Sequence, residues 1–284
     1  MTSSAPYSAP VPSPDASFAR LVLDAADTSE VPRLRPAEPV AAEGALSCSG
    51  SAQFSAGGWR TLRAEAARRQ PASFVVVDLR KESHGFLNGA AVSWYAAVGN
   101  WGCAGLSPAD AAELERLRLV IVANSPQVSV GTKALVQSLV QLGTPGGDTW
   151  DVQEVSDERQ LVEAGGDARY VRIGIDDHCP PDAAALAALS DLFDAVPAGT
   201  HLHFHCRGGK GRTSTAMALL DMHQHAGDTP FTDIVRRQAE RSGYALDRDV
   251  DDALAKSTHL RERWAMLQRF YSACAERNAG KRRP

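Results

Sequence analysis

The sequence predicts an α/β fold, and three observations carry that expectation. First, "ASFVVVDLR" (residues 72–80) and "LRLVIVAN" (117–124) are continuous apolar runs of the kind found in strands buried on both faces, and "HLHFH" (201–205) reads as a short alternating strand. Second, helical stretches lie between them. "LSPADAAELERLRL" (106–119) opens with Ser107 as N-cap, Pro108 at the first helical position and Asp110 three residues after the cap; "DAAALAALSDLFDAV" (182–196) is a second helix. Third, Leu260, Trp264, Leu267, Tyr271 and Cys274 recur at spacings of three and four, the buried face of a C-terminal helix.

The chain has 284 residues, of which 44% are hydrophobic and 23% charged, enough for one large or two small domains with a real core. Residues 1–40, rich in Ser, Pro and Ala, read as a disordered tail, leaving 41–284 as the folded domain. The loop "GTPGGDTWDV" (143–152) marks an inserted subdomain, expected to be β-rich and to span about residues 105–160. No internal repeat is visible. No apolar run reaches the length of a membrane span, and the N-terminus lacks the early positive charge and apolar stretch of a cleavable signal, so general secretion is unsupported. The five cysteines, Cys48, Cys103, Cys179, Cys206 and Cys274, are odd in number and scattered, which points away from a disulfide framework or a zinc site and toward a reducing compartment. Net charge is −4 but unevenly spread: residues 201–284 hold 15 Lys and Arg against 10 Asp and Glu, and six of the eight histidines. A basic segment containing a glycine-rich loop suggests a small anionic ligand rather than nucleic acid.

That loop is "HCRGGKGRTST" (205–215). A strand ends at His205, a loop follows from Arg207 through Gly208, Gly209 and Lys210 to Gly211, and a helix begins. Successive backbone N–H groups in such a loop converge on one point, glycines permit the convergence, and the helix N-terminus adds partial positive charge. The same field favours thiolate over thiol at Cys206. Arg212 can return a planar fork of donors to the focus, and Thr213 can donate its hydroxyl to the sulfur. A nucleotide P-loop does not fit, because Lys210 is followed by Gly211 rather than Ser or Thr. A rhodanese-like sulfur-transfer loop is the nearer rival.

"HCRGGKGRT" resembles the H-C-x5-R-T/S signature of cysteine-dependent tyrosine phosphatases, and other segments narrow the likeness. "VVVDLRKESHGFLNGAAVSWY" (75–95), "SGSAQFS" (49–55), "IDDHCPPD" (175–182), "DIVRRQAERSG" (233–243) and "KSTHLRERWAMLQRFYSACAERN" (256–278) resemble the tyrosine-phosphatase-like bacterial phytases, the cysteine phytases. The similarity covers roughly residues 44–279. It implies a tyrosine-phosphatase-like core, a central sheet flanked by helices, with the small β-rich insert added. It further implies that Cys206 is the nucleophile, Arg212 the phosphoryl clamp and Asp177 the general acid, with the neighbouring Asp176 the lesser candidate. Arg80, Lys81, His178, Arg207, Lys210, Lys256 and Arg263 become substrate contacts beside the loop glycines Gly208, Gly209 and Gly211. His205 is expected to orient the loop, and His84 to be a hydrogen-bonded structural residue. The chain departs from the best-known members after the acid, reading His178-Cys179-Pro180-Pro181 where they carry a Trp-Pro pair.

The expected activity is therefore hydrolysis of phytate and other inositol polyphosphates through a phosphocysteine, with no cofactor and no metal. Its only implied partner is a polyanionic small molecule, with neither nucleic acid nor membrane insertion, and oligomeric state is left open. A protein tyrosine or dual-specificity phosphatase, a sulfurtransferase and an inactive phosphate-binding effector are the alternatives. For location, the readings are a bacterial cytoplasm or export without a cleavable signal, as for a type III secreted effector.

Overall fold

The structure is a computed structural model describing residues 19–38, 44–95, 102–134, 147–247 and 256–280. The run of valines forms strand β3 (Ser73–Arg80), at the centre of a four-stranded parallel sheet. Its neighbours are β10 (Thr200–His205) on one side and β9 (Arg169–Ile175) on the other, and β2 (Ser47–Ser51) forms the edge beyond β10. Each face of this sheet has its own core, which is why β3 is apolar at consecutive positions. On one face Val75, Val77, Leu79, Leu202 and Phe204 pack with α4 (Ala183–Ala195), α5 (Gly211–His225), α6 (Phe231–Ser242) and α7 (Lys256–Gly280). On the other, Phe74, Val76 and Tyr170 pack with Phe54, with Trp59 and Leu62 of α1 (Ala56–Arg69), with Phe86, and with Val162 of α3 (Glu158–Glu163). In α7 the buried face runs through Arg263, Met266, Leu267, Phe270 and Cys274, with Trp264 and Tyr271 at its edges.

A second, antiparallel sheet has the order β1 (Arg20–Ala25), β5 (Ala90–Tyr95), β4 (His84–Leu87), β8 (Val155–Ser156). A hairpin of β6 (Gln127–Val130) and β7 (Asp148–Asp151) joins its β1 edge through Gly131, which exchanges backbone hydrogen bonds with Leu21 and Leu23.

Three expectations are corrected here. Residues 19–38 are not a disordered tail: β1 pairs along its length with β5, and Arg35 is buried. The run at 117–124 is no strand but the second half of α2 (Pro108–Ala123), which starts at the expected Ser107 cap. Its buried positions Ala111, Glu115, Leu119 and Val122 keep a helical spacing, while Leu117 and Ile121 are 46% and 67% exposed. The β-rich unit is not confined to 105–160, since that stretch is partly helical and most of the antiparallel sheet comes from 20–25 and 84–95. Of "GTPGGDTWDV", residues 143–146 lie outside the described residues and Asp148–Asp151 form β7.

The two apolar environments predict opposite sensitivities. Phe204→Ala, in the fully buried central strand, is expected to lower the unfolding free energy by about 3–5 kcal/mol, whereas Ile121→Ser is expected to stay within about 0.5 kcal/mol. Urea unfolding of both variants checks the pair.

Candidate active site

Cys206 leaves β10 directly and is 3% exposed. Thr213 Oγ1 donates to its Sγ at 3.1 Å. The loop is fastened from outside itself. Gln53 N donates to the Arg207 carbonyl (3.2 Å), and Arg35 donates from Nη2 to the Gly209 carbonyl (2.6 Å) and from Nη1 to Ser214 Oγ (2.8 Å). Gly209 has a φ of +61°, and a Cβ there would overlap the Ser51–Ala52 backbone, so glycine is required on both counts. Lys210, at the N-cap of α5, makes no side-chain cap hydrogen bond. The first N–H groups of α5 therefore have no N-cap side chain on them.

Arg212 is gripped by a carboxylate absent from the sequence reading. Its Nη1 and Nη2 donate to Glu82 Oε2 (2.6 Å) and Oε1 (3.0 Å), and Nη1 also donates to the Ile175 carbonyl (3.1 Å). Nη2 donates in addition to Asp177 Oδ1 at 3.0 Å. Burial alone would push the Glu82 carboxyl up, but Arg212 and Arg80 reverse that and hold it well below the usual carboxylate range. The pairing continues outward: Arg80 donates from Nε to Glu82 Oε1 (3.0 Å) and from Nη1 to Gln53 Oε1 (2.7 Å) and Asp24 Oδ2 (2.9 Å). Asp24, buried on β1, also receives Arg207 Nε and the Ser93 hydroxyl. Arg207 in turn lies over the Tyr95 ring, 4.9 Å from its centroid.

Beneath the loop sits a second charged group. His205 Nε2 lies 2.6 Å from Glu158 Oε1, and His84 Nε2 lies 3.2 Å from Asp78 Oδ2 and 3.3 Å from Glu158 Oε2. Burial works against a charged His84, as does Arg80, yet Asp78 and Glu115 prevail and lift its pKa to about 10, so it is an imidazolium at neutral pH. The expected structural role of His84 is thus that of a buried cation between carboxylates. A cavity of about 530 Å³ opens behind this group, between α2 and β9, lined by Glu115, Glu158, Tyr170 and Arg172 and not by the Cys206 loop.

Of the residues expected at the site, Thr213 lies on Cys206, Asp177 on Arg212 and His205 on Glu158, with Gly209 packed on the Ser51–Ala52 backbone. Lys81 pairs with Asp176 Oδ2 at 3.3 Å, and burial raises the Asp176 carboxyl against that pull. His178 has a left-handed backbone, with φ +66°, and its side chain is 41% exposed. Lys210 and Gly208 are exposed. Two of the expected substrate contacts are buried side chains. Arg80 is fully buried among Asp24, Gln53 and Glu82. Arg263 is 1% exposed, and its Nη2 donates to the carbonyls of His178 (2.8 Å) and Cys179 (3.2 Å), tying the loop that carries Asp177 to α7. The side chain of Lys256 lies outside the described residues. Sequence reasoning missed Asp24, Arg35, Gln53, Glu82 and Glu158. Glu82 left a signal, a carboxylate two residues beyond a buried strand that ends in Arg80; Asp24 and Arg35 were hidden by the tail reading. Among the described residues no group of three or more His, Cys, Asp and Glu side chains could hold a metal ion.

The family model for PTP-like phytases, described as inositol hexakisphosphate, matches residues 77–224, just over half of the chain. This chain belongs to the PTP-like phytase family. Similar solved structures agree. The tandemly repeated protein tyrosine phosphatase like phytase from Mitsuokella multacida is 27% identical with a TM-score of 0.78, the match covering 90% of this chain and 46% of that one. A PTP-like phytase from Bdellovibrio bacteriovorus is 29% identical with a TM-score of 0.75, over 95% of this chain and 93% of that one. Among curated proteins, "Effector protein hopD2" of Pseudomonas syringae pv. tomato is 30% identical over 207 residues, covering 72% of this chain. The match spans only 43% of that relative's length. The PTP-like phytase fold accounts for the tyrosine-phosphatase-like core expected from the sequence, with its central sheet between helices.

The charge network sets a pH prediction. Glu82 has a depressed folded pKa, so its contribution to stability is fully present above the unfolded value of about 4.3 and is lost as pH falls below it. Glu82→Gln is expected to destabilise the protein at neutral pH by about 3–5 kcal/mol, since it leaves buried arginines uncompensated. The acid side of its stability profile should also be flatter than in wild type. Urea midpoints measured from pH 3 to pH 7 test both parts.

Proposed function

We propose that this PTP-like phytase hydrolyses inositol polyphosphates, phytate among them, through a phosphocysteine formed on Cys206. The observation that carries the reading is the guanidinium of Arg212, six residues after Cys206, shared between the fixed carboxylate of Glu82 and the loop carboxylate of Asp177. Nucleophile, phosphoryl-binding cation and acid thus belong to one constellation. Further support comes from a relative: the PTP-like myo-inositol phosphatase of Mitsuokella multacida, 27% identical over 92% of this chain, has a structure in complex with myo-inositol-(1,3,4,5)-tetrakisphosphate.

In the proposed reaction the Cys206 thiolate attacks phosphorus in line with the leaving oxygen. Asp177 gives its proton to the departing alkoxide, and the same carboxylate then takes a proton from the water that hydrolyses the phosphocysteine. Charge on the equatorial oxygens is met by the loop N–H groups of Arg207 through Gly211 and by Arg212, a preorganised electrostatic scheme. Thr213, already on Sγ, stabilises the sulfur as leaving group. Asp177 is preferred over Asp176 because it touches Arg212, whereas Asp176 is turned to Lys81. Phosphates away from the reacting one fall to the rim of the site, with Lys210, His178, Lys81 and Lys256 as the candidates. Arg207, Arg80 and Arg263 then hold the rim in place. The likeness to the Pseudomonas effector supports a reading of this chain as an effector too.

The test compares phytate with an aryl phosphate. Cys206→Ser is expected to abolish turnover of both while phytate binding persists. Asp177→Asn should cost about 10²–10⁴-fold on phytate and far less on the aryl ester, whose phenolate leaves without a proton. Full activity of Cys206→Ser sinks the covalent mechanism, and the selective pattern appearing in Asp176→Asn instead moves the acid by one residue. Lys256→Ala should weaken kcat/KM for phytate alone, by about 1–2 kcal/mol, and Arg263→Ala should slow both substrates because it holds the acid loop.

A further inference from the structure

The motif absorbs His205, but the same strand brings two more histidines that the proposed chemistry does not use. Strands β2 and β10 are parallel and in register, so Ser47, Ser49 and Ser51 face His201, His203 and His205. The side chains form a ladder. Ser47 Oγ meets His201 Nδ1 and Ser49 Oγ meets His201 Nε2, both at 2.8 Å; Ser49 Oγ also meets His203 Nδ1 at 2.8 Å, and Ser51 Oγ meets His203 Nε2 at 3.0 Å. Aromatic rings enclose it, with Phe74 stacked on His201 and Phe54 against His203 and His205.

The proton positions follow from the last rung. Ser51 Oγ donates to the Ala52 carbonyl at 2.6 Å, so its one proton is spent and it must accept from His203 Nε2–H. A neutral His203 then accepts at Nδ1 from Ser49. Ser49 in turn accepts from His201 Nε2–H, and His201 Nδ1 accepts from Ser47. Burial keeps both rings neutral: it lowers the His201 pKa to about 4 and that of His203 well below its ordinary value. Every hydroxyl and ring proton in the ladder has one place to go, and the direction runs toward Ser51 and Ala52.

That end is the wall on which the catalytic loop rests. The Ser51 carbonyl accepts from Thr213 Oγ1 (3.3 Å), the hydroxyl that also reaches Cys206 Sγ. Gly209 lies against the Ser51–Ala52 backbone, and Gln53 N holds the Arg207 carbonyl. We propose that Ser49, Ser51 and His203 are positioning residues for the reaction, fixing the backbone of Ser51 and Ala52 so that the Thr213 hydroxyl is shared correctly between the Ser51 carbonyl and the Cys206 sulfur. The proposal rests on the reading of Cys206 as nucleophile.

The experiment compares Ser51→Ala with Thr200→Val. The second variant removes a buried hydroxyl bond, Thr200 Oγ1 to the Pro197 carbonyl (2.7 Å), at the opposite end of the same strand. Three readings are taken on each: kcat and KM for an aryl phosphate, the pH midpoint of inactivation by iodoacetate, and the urea midpoint. Ser51→Ala is expected to lose about three- to tenfold in kcat with KM within about twofold, and its inactivation midpoint should move to higher pH. Thr200→Val should lose stability only. If Ser51→Ala does not fold, Ser49→Ala breaks the ladder one rung earlier and is read the same way. The proposal is overturned if the ladder variant keeps wild-type kcat and inactivation profile, or if Thr200→Val shifts both equally. Should iodoacetate leave the wild type active, or Cys206→Ser turn over normally, the nucleophile reading falls and the ladder proposal falls with it.

Discussion

Arg212 is held on both of its terminal nitrogens by Glu82, and what surrounds Cys206 is arranged around that pair. Glu82 follows β3 and Arg212 opens α5, so the pair closes the parallel sheet onto the helix that follows the loop. From Glu82 the charges alternate outward through Arg80 and Asp24 to Arg207, which is itself a loop residue. From Arg212 they continue to Asp177 on the loop after β9. The catalytic loop is therefore gripped at Arg207 and at Arg212 by one continuous chain of ion pairs.

Such a chain is costly to bury. Each ion loses its hydration, and a buried pair often does no better for stability than apolar residues of the same volume. What the arrangement supplies is position. Asp24 comes from the antiparallel sheet and Arg80 from the parallel one, so the site is complete only when the two sheets are docked in one register. Glu82 fixes the plane of this guanidinium, so a phosphoryl group that takes the Nη2 donor from Asp177 meets a cation already oriented. The imidazolium of His84, between Asp78 and Glu158 under His205, extends the same principle to the floor of the loop.

Cys206, Arg212 and Thr213 were legible in the sequence because a loop between a strand and a helix joins them over eight residues, and local spacing fixes their geometry. Strands β3 and β10 and the Ser107-capped helix were legible for the same local reasons. The Asp24–Arg207 pair was not, since its members are 183 residues apart and meet only through sheet register. The tail reading failed at "RLVLDA", a single short strand among Ser and Pro residues whose partner β5 lies some distance along the chain. At 117–124 a run of apolar residues fits either a buried strand or a helix with one exposed side. The cap ten residues earlier decides it, because Ala111, Glu115, Leu119 and Val122 continue that helix on its buried face.

A phosphoryl group proposed to pass from an inositol polyphosphate to the sulfur of Cys206 can be trapped there. Enzyme turning over phytate would be quenched within the first turnovers and digested, and the peptide containing Cys206 weighed. An added mass of one phosphoryl group is expected on that peptide, carried by sulfur and absent from Cys206→Ser. Steady release of phosphate with the Cys206 peptide unmodified at every quench time, or the label on another residue, would rule out a phosphocysteine on Cys206.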